Sequence, residues 1–245
     1  MNHLLANIDA AIIDLDGTLV DTLGDFVAAL ELMRRDLNER GVTTAALSAH
    51  KVIDMVGKGS ENLVKSALSH FRLLQDGAVI GDDEINSEAN VEFALARYLV
   101  HYKEISGQHA ALYPGVLAGL RVCQSAGLRL ACVTNKPLAF ATPLLQHLGI
   151  DLFFDHVFGG DSFERKKPDP LPLLKTCEAL GTLPARTLMI GDSSNDAEAA
   201  RAAGCPVVLV TYGYNHGQPV REVDADGWVT SLSELFHPAQ LAADV

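Results

Sequence analysis

Basic residues are in short supply in this 245-residue chain: 19 Lys and Arg stand against 31 Asp and Glu, a formal net charge of −12. Nucleic acids and anionic membranes select basic faces, so neither is expected as a main partner. The same deficit sets a requirement, because an anionic substrate has to be drawn in by a local positive site against the overall field. Cysteine is sparse as well. Cys123, Cys132, Cys177 and Cys205 lie far apart with no CxxC pair, which speaks against a zinc site and reads as four reduced, buried, small hydrophobes. No apolar run approaches the ~18 residues needed to cross a bilayer. The opening MNHLLANIDAAIID lacks a basic segment followed by a cleavable apolar stretch, so the expected address is cytoplasmic. Internal repeats and low-complexity tracts are missing too.

What is present is the balance of a globular protein, with 48% hydrophobic and 20% charged residues. At roughly 100–200 residues per domain, the length suits one large domain or two modest ones. Short apolar runs ending in Asp or Thr recur, each followed by a helical pattern: AAIIDLD (10–16), LRLACVT (128–134), a weaker HVFGGD (156–161), TLMIGD (187–192) and PVVLVTYG (206–213), with WVTSL (228–232) as a short last strand. Runs buried on both faces and alternating with helices predict an α/β fold, a Rossmann-like parallel sheet with helices on both faces. Ligands in such sheets bind at the carboxyl ends of the strands, so Asp14, Asp16, Thr134 and Asp192 are expected along one edge.

The alternation breaks between residues 22 and 110. There, four segments carry apolar residues at three-to-four spacing and few β-branched runs, which predicts a helical insert. The expected division is a catalytic core of residues 1–21 and 111–245 with an inserted helical domain of 22–110. Thr22 and the stretch 107–113 are the expected hinges. An acidic connector at 76–88 has no function legible in its residues.

The strongest chemical signal is DLDGTLVD (14–21), directly after a buried strand. Two carboxylates in such a pair divide two tasks, one attacking an electrophile and the other managing a proton. Gly17 lets the chain turn sharply and Thr18 offers a hydroxyl. A lone D-x-D more often ends a strand as a turn former. Here it is followed in order by VTNK (133–136), KKPDP (166–170) and GDSSND (191–196).

These four motifs together resemble the haloacid dehalogenase superfamily of phosphohydrolases over nearly the whole chain. The resemblance implies Asp14 as nucleophile and Asp16 as general acid/base, with Thr134 and Asn135 at the transferring phosphoryl group. It further implies Lys167, rather than Lys166, as the positively charged stabiliser. Asp14, the Asp16 backbone carbonyl and Asp192 are the implied Mg²⁺ ligands, with Asp196 in support, and the helical insert is the implied cap. Charge arithmetic agrees, since carboxylates crowded at one edge repel a phosphate dianion. A hard divalent cation such as Mg²⁺, which takes one or two carboxylates plus phosphate oxygens and water, relieves that repulsion. Lys167 and the amides opening the helix after Thr134 would add further positive character.

The insert must select the substrate. MVGKGSENLV (55–64) reads as a tight turn in which Gly57 and Gly59 free the backbone and Ser60 starts a helix, leaving Lys58 able to reach an anion. This loop and TYGYNHG (211–217) resemble segments of bacterial phosphoglycolate phosphatases, which implies 2-phosphoglycolate as substrate. Other small phosphoesters, such as sugar phosphates and nucleotides, remain alternatives, as does a phosphomutase sharing every core motif. A dehalogenase has no use for the acid at Asp16 or for Asp192. A receiver domain would be about half as long. A catalytically silent regulator is the reading disfavoured by an intact set of motifs. The oligomeric state is not legible.

Overall fold

The computed structural model describes residues 7–42, 44, 46–71 and 87–235. Backbone contacts divide the chain into two units, Met1–Asp21 with Ala111–Val245, and Thr22–Ala110.

In the first unit a six-stranded, all-parallel sheet is built from β1 (Ala10–Ile13), β4 (Arg129–Val133), β5 (His156–Phe158), β6 (Thr187–Gly191), β7 (Val207–Val210) and β8 (Gly227–Val229). Its order is β5-β4-β1-β6-β7-β8, with Ile12 opposite Ala131 on one side and Met189 on the other. Strands β1, β6 and β7 are buried along their whole length, as continuous apolar runs require when helices cover both faces. One face, formed by Ala10, Ile12, Ala131, Val133, Met189, Val207 and Leu209, packs on α7 (Leu171–Leu180) and α8 (Ser194–Ala203). Helix α8 meets the sheet through Ala197, Ala199, Ala200 and Ala203, small residues that let helix and sheet approach closely. Helices α5 (Val116–Ser125) and α6 (Leu138–His147) complete the unit, α5 lying against β4.

The sheet matches the sequence reading in its order of elements and differs at the margins. The run at 156–161 pairs only as far as Phe158, because Gly159 and Gly160 turn away to meet the backbone of residues 135–138. The last strand begins at Gly227 and ends at Val229. Pro137 is the residue before α6, with extended backbone, rather than its first helical position. All four cysteines are free thiols and buried. Among the described residues no helix is long and apolar enough to cross a membrane.

Two short strands that periodicity does not reveal, β2 (Val20–Asp21) and β3 (Ala111–Leu112), pair antiparallel where the chain leaves the first unit and returns to it. Between them lies the second unit, a helical insert with α1 (Leu23–Glu39), α2 (Ala49–Ile53), α3 (Ser60–Phe71) and α4 (Glu88–Ile105). Helices α1 and α4 form its main contact, through Phe26 of α1 stacked on Tyr102 of α4, which stacks in turn on Tyr98 of its own helix, each pair with ring centroids 5.5 Å apart. Such pairs contribute about 0.5–1.5 kcal/mol beyond the area they bury. The connector 76–88 falls almost entirely outside the described residues.

Candidate active site

Sheet order decides which loops meet. β4, β1 and β6 are neighbours, so the residues that follow them emerge side by side at the carboxyl edge. Asp14 continues β1 with its amide donating to Ile190 O at 2.9 Å, and Thr134 continues β4 with its amide donating to Phe158 O at 3.0 Å. Asp192 follows β6 directly.

Lys167 is the hub of this edge. Its Nζ donates to Asp14 Oδ1, Asp196 Oδ1 and the Val133 carbonyl, each at 2.7 Å, so all three ammonium protons are engaged. The side chain is only 3% exposed. Burial works against its charge, but the Asp14 and Asp196 carboxylates outweigh that and hold its pKa above the usual lysine range. Lys167 is therefore a fixed positive charge beside Asp14. Its neighbour Lys166 makes none of these contacts.

The acids divide by what their oxygens are doing. Asp196 is saturated: Oδ1 takes Lys167, while Oδ2 accepts from the Asp192 amide, the Ser193 amide and the Ser193 hydroxyl at 3.2, 3.2 and 2.8 Å. It opens α8 as the acid of a capping arrangement. Asp192 Oδ2 accepts the amides of Tyr214 at 2.6 Å and Asn215 at 3.4 Å, and its Oδ1 has no hydrogen bond among the described residues. Asp14 likewise commits Oδ1 to Lys167 and leaves Oδ2 without a partner among them.

Two buried carboxylates, each held by one oxygen with the other open, make the donor set a hard divalent cation takes. Asp14, Asp192 and Asp196 each offer an oxygen within 4.8 Å of the others, a cluster able to hold a metal ion. Without one the charges are uncomfortable. Burial, followed by the Asp196 and Asp14 charges, raises the Asp192 pKa well above the carboxylate range. Burial also lifts Asp14 to about 7, with Lys167 opposing.

The Asp192 slot is closely built. A Cβ on Gly17 or Gly213 would fall on the Asp192 carboxylate. Gly17 also has φ of 88°, a backbone conformation open to glycine at little cost. Opposite, Asn215 and His216 sit at φ of 37° and 52°, and this strained turn aims two amides at Asp192. The TYGYNHG segment thus serves the site through its backbone. It is also tied to the crossover ribbon, since the Tyr214 hydroxyl donates to Asp21 Oδ1 at 2.9 Å and the Tyr212 hydroxyl to Thr18 O at 2.8 Å. Backbone donors have no residue-type signature, which is why sequence reasoning missed them.

Asp16 stands apart from the three clustered acids. Its Oδ1 meets Lys136 Nζ at 2.7 Å, a lysine the sequence reading did not single out. Thr134 is 3% exposed, and its Oγ1 accepts from the Lys136 amide at 3.1 Å, which leaves its hydroxyl proton available for another acceptor. Two further contacts shape this loop. The Asn135 side-chain nitrogen donates to the Lys167 carbonyl at 2.8 Å, so its amide group fixes the Lys167 backbone. The first amide of α6, at Leu138, is capped by Asp161 Oδ1 at 2.8 Å, so it is already occupied as an anion donor. Lys58 is exposed, on the turn between α2 and α3 in the other unit.

Sheet order, motif spacing and the acid cluster around one buried lysine define a single class. The chain belongs to the haloacid dehalogenase-like hydrolases, whose family model matches residues 8–204. Among curated relatives, it is 41% identical to the phosphoglycolate phosphatase of Thiobacillus denitrificans, over 93% of each chain. It is 41% identical to that of Nitrosospira multiformis, over 95% of this chain and 96% of the relative. The crystal structure of a predicted phosphoglycolate phosphatase from Haemophilus somnus superposes with a TM-score of 0.83 at 30% identity, covering 94% of this chain and 96% of that one.

Proposed function

We propose that this protein is a Mg²⁺-dependent phosphatase that hydrolyses 2-phosphoglycolate to glycolate and phosphate through an aspartyl phosphate on Asp14. The observation that carries the reading is the Asp14 carboxylate, with one oxygen 2.7 Å from the Lys167 ammonium and the whole group clustered with Asp192 and Asp196. Near full-length identity of about two residues in five to phosphoglycolate phosphatases supports the substrate.

In the first step an Asp14 carboxylate oxygen attacks phosphorus, the ester P–O bond breaks, and Asp16 delivers its proton to the departing glycolate oxygen. In the second step a water gives its proton to Asp16 and attacks phosphorus, which frees the Asp14 carboxylate and inorganic phosphate. Lys167 offsets charge on the transferring oxygens and holds Asp14 in line, while the Thr134 hydroxyl donates to a phosphoryl oxygen. Asp14, Asp192 and the Asp16 carbonyl would hold Mg²⁺, Asp196 supporting them. When bound, the ion polarises the phosphoryl group and offsets its negative charge. With Asp16 carrying the proton it delivers, three carboxylates against Lys136 and Lys167 leave one formal negative charge at the edge, which one divalent cation turns into a net positive one. That local positive charge answers the requirement set by an acidic chain.

The core of residues 1–21 and 111–245 is assigned the chemistry and the insert of 22–110 the selection of substrate, with Lys58 the candidate cation for its carboxylate. Four buried free thiols support a cytoplasmic address.

The test is phosphate release from a panel of phosphoesters, with Mg²⁺ and with EDTA, compared as kcat/KM. We expect 2-phosphoglycolate to lead the panel by about tenfold, the scale of one well-placed contact of ~1.4 kcal/mol, and EDTA to stop turnover. A sugar phosphate or nucleotide in the lead would keep the chemistry and reject the substrate. Turnover without metal would reject the core mechanism.

A further inference from the structure

The loop after β4 carries a second buried lysine for which the two-step reaction has no role. The Lys136 and Asp16 side chains are 3% and 11% exposed, and Nζ meets Oδ1 at 2.7 Å. Withdrawing both charges from water costs several kcal/mol per ion, so such a pair is weak support for stability and calls for another reason.

The geometry around Lys136 is fixed from several sides. Its amide donates to Thr134 Oγ1 at 3.1 Å and its carbonyl accepts from the Gly160 amide at 2.9 Å. The Gly160 backbone lies so close to Asn135 that a Cβ there would collide with the Asn135 carbonyl. The ammonium group is thus presented from a braced backbone, where an exposed lysine would swing freely. Across the site Lys167 does the corresponding job for Asp14. The two catalytic carboxylates, two positions apart in sequence, are drawn to two different lysines. The metal-holding cluster contains Asp14, Asp192 and Asp196 and not the Asp16 carboxylate.

A carboxylate so near a divalent cation gains by coordinating it, and a coordinated carboxylate is a poor proton carrier. We propose that Lys136 is a positioning residue that holds the Asp16 side chain apart from the metal-binding acids, so that Asp16 remains the proton donor and acceptor instead of an additional metal ligand. The proposal rests on the reading of Asp16 as general acid/base. A compact ammonium suits the task, because it directs one carboxylate oxygen without the bidentate clamp of a guanidinium.

The experiment uses the full-length enzyme and two readouts. Steady-state kinetics compare 2-phosphoglycolate, whose alkoxide leaving group needs a proton, with p-nitrophenyl phosphate, whose leaving group does not. Calorimetry measures Mg²⁺ binding with no substrate present. For Lys136→Met we expect kcat on 2-phosphoglycolate to fall by about tenfold or more, inside the ~10²–10⁴-fold that acid–base catalysis supplies, and kcat on the aryl ester to fall by less than about threefold. Mg²⁺ should bind several-fold more tightly as Asp16 joins the ligands. Lys136→Gln is the second variant if the methionine does not fold, and Lys136→Arg should recover part of the lost kcat.

Equal losses on both esters, with Mg²⁺ affinity unchanged or weaker, would overturn the proposal. Asp16→Ala measured alongside separates the two layers. If it discriminates between the esters and Lys136→Met does not, only the positioning role falls. If Asp16→Ala itself shows no discrimination, the acid/base reading falls and the positioning role goes with it.

Discussion

Asp14 in the parallel-sheet unit and Asp25 in the helical unit are both buried, 7% and 0% exposed, yet they serve opposite ends. Asp25 opens α1, and its two oxygens accept the amides of Gly107 and His109 at 2.7 and 2.8 Å. Each oxygen has a backbone donor, and the acid pins the start of the insert to the stretch by which the chain returns. Asp14 meets one donor, Lys167, keeps one oxygen open and has other acids for neighbours. Burial alone does not separate a reactive carboxylate from a structural one. What separates them is the bonding capacity left over once the local partners are satisfied.

The sharpest way to break this contrast is to remove the open oxygen. Asp14→Asn keeps the volume and removes the nucleophile, so turnover on every ester should fall by roughly 10³-fold or more, with the circular dichroism spectrum unchanged. Retention of a few per cent of activity in a clean preparation would end the nucleophile assignment. The same variant carries a stability signature in metal-free protein. A carboxyl lifted from 3.8 to about 7 by burial binds its proton more tightly folded than unfolded. Its contribution therefore favours the fold at acid pH and is lost as pH rises from about 4 to about 7. Asp14→Asn should flatten that decline in Tm. An unchanged slope would place the charge strain on Asp192 instead.

Asp14, Asp192 and Lys167 were legible in the sequence because each sits in a local motif behind a buried strand, and strand order in a parallel sheet brings such ends together. The helical insert was legible from its periodicity. The ribbon of β2 and β3 was not, since two residues a strand carry no period. Lys136 and Asp25 were hidden for another reason. Their partners lie 120 and about 83 positions away, so nothing near either residue announces the contact. The donors to Asp192 are main-chain amides, invisible to residue type. The motif position of Asn135 says that it stands at the site and not which way its amide faces, and its side-chain nitrogen turns to the Lys167 carbonyl.

Asp25 should behave as the structural half of the pair. Asp25→Ala strands the buried amide of Gly107 and the partly buried amide of His109; at ~1–3 kcal/mol for a fully buried group and less for the second, the loss of stability should be about 2–4 kcal/mol. Hydrogen exchange should locate it at Gly107, His109 and the first turn of α1, with amides of the sheet protected as before. Uniform loss of protection across both units would mean that Asp25 supports more than the insert's own closure.

Asp36, where the smallest effect is expected, tests whether a partly exposed ion pair follows the same logic. Asp36 on α1 meets Arg97 Nε at 2.5 Å and His101 Nε2 at 2.6 Å on α4, but its side chain is 21% exposed. Burial pushes its pKa up, and the hydrogen bonds from Arg97 and His101 more than reverse that, so the net direction is downward. A depressed carboxylate adds stability above its unfolded value of 3.8 and loses it as pH falls through the folded one. Asp36→Asn should then lower stability at neutral pH by about 0.5–1 kcal/mol, the upper range for such partly screened pairs. The gap in Tm between variant and parent should close as pH falls below about 4. A gap that persists in acid would show that Asp36 joins α1 to α4 by shape and hydrogen bonding, with its charge contributing nothing.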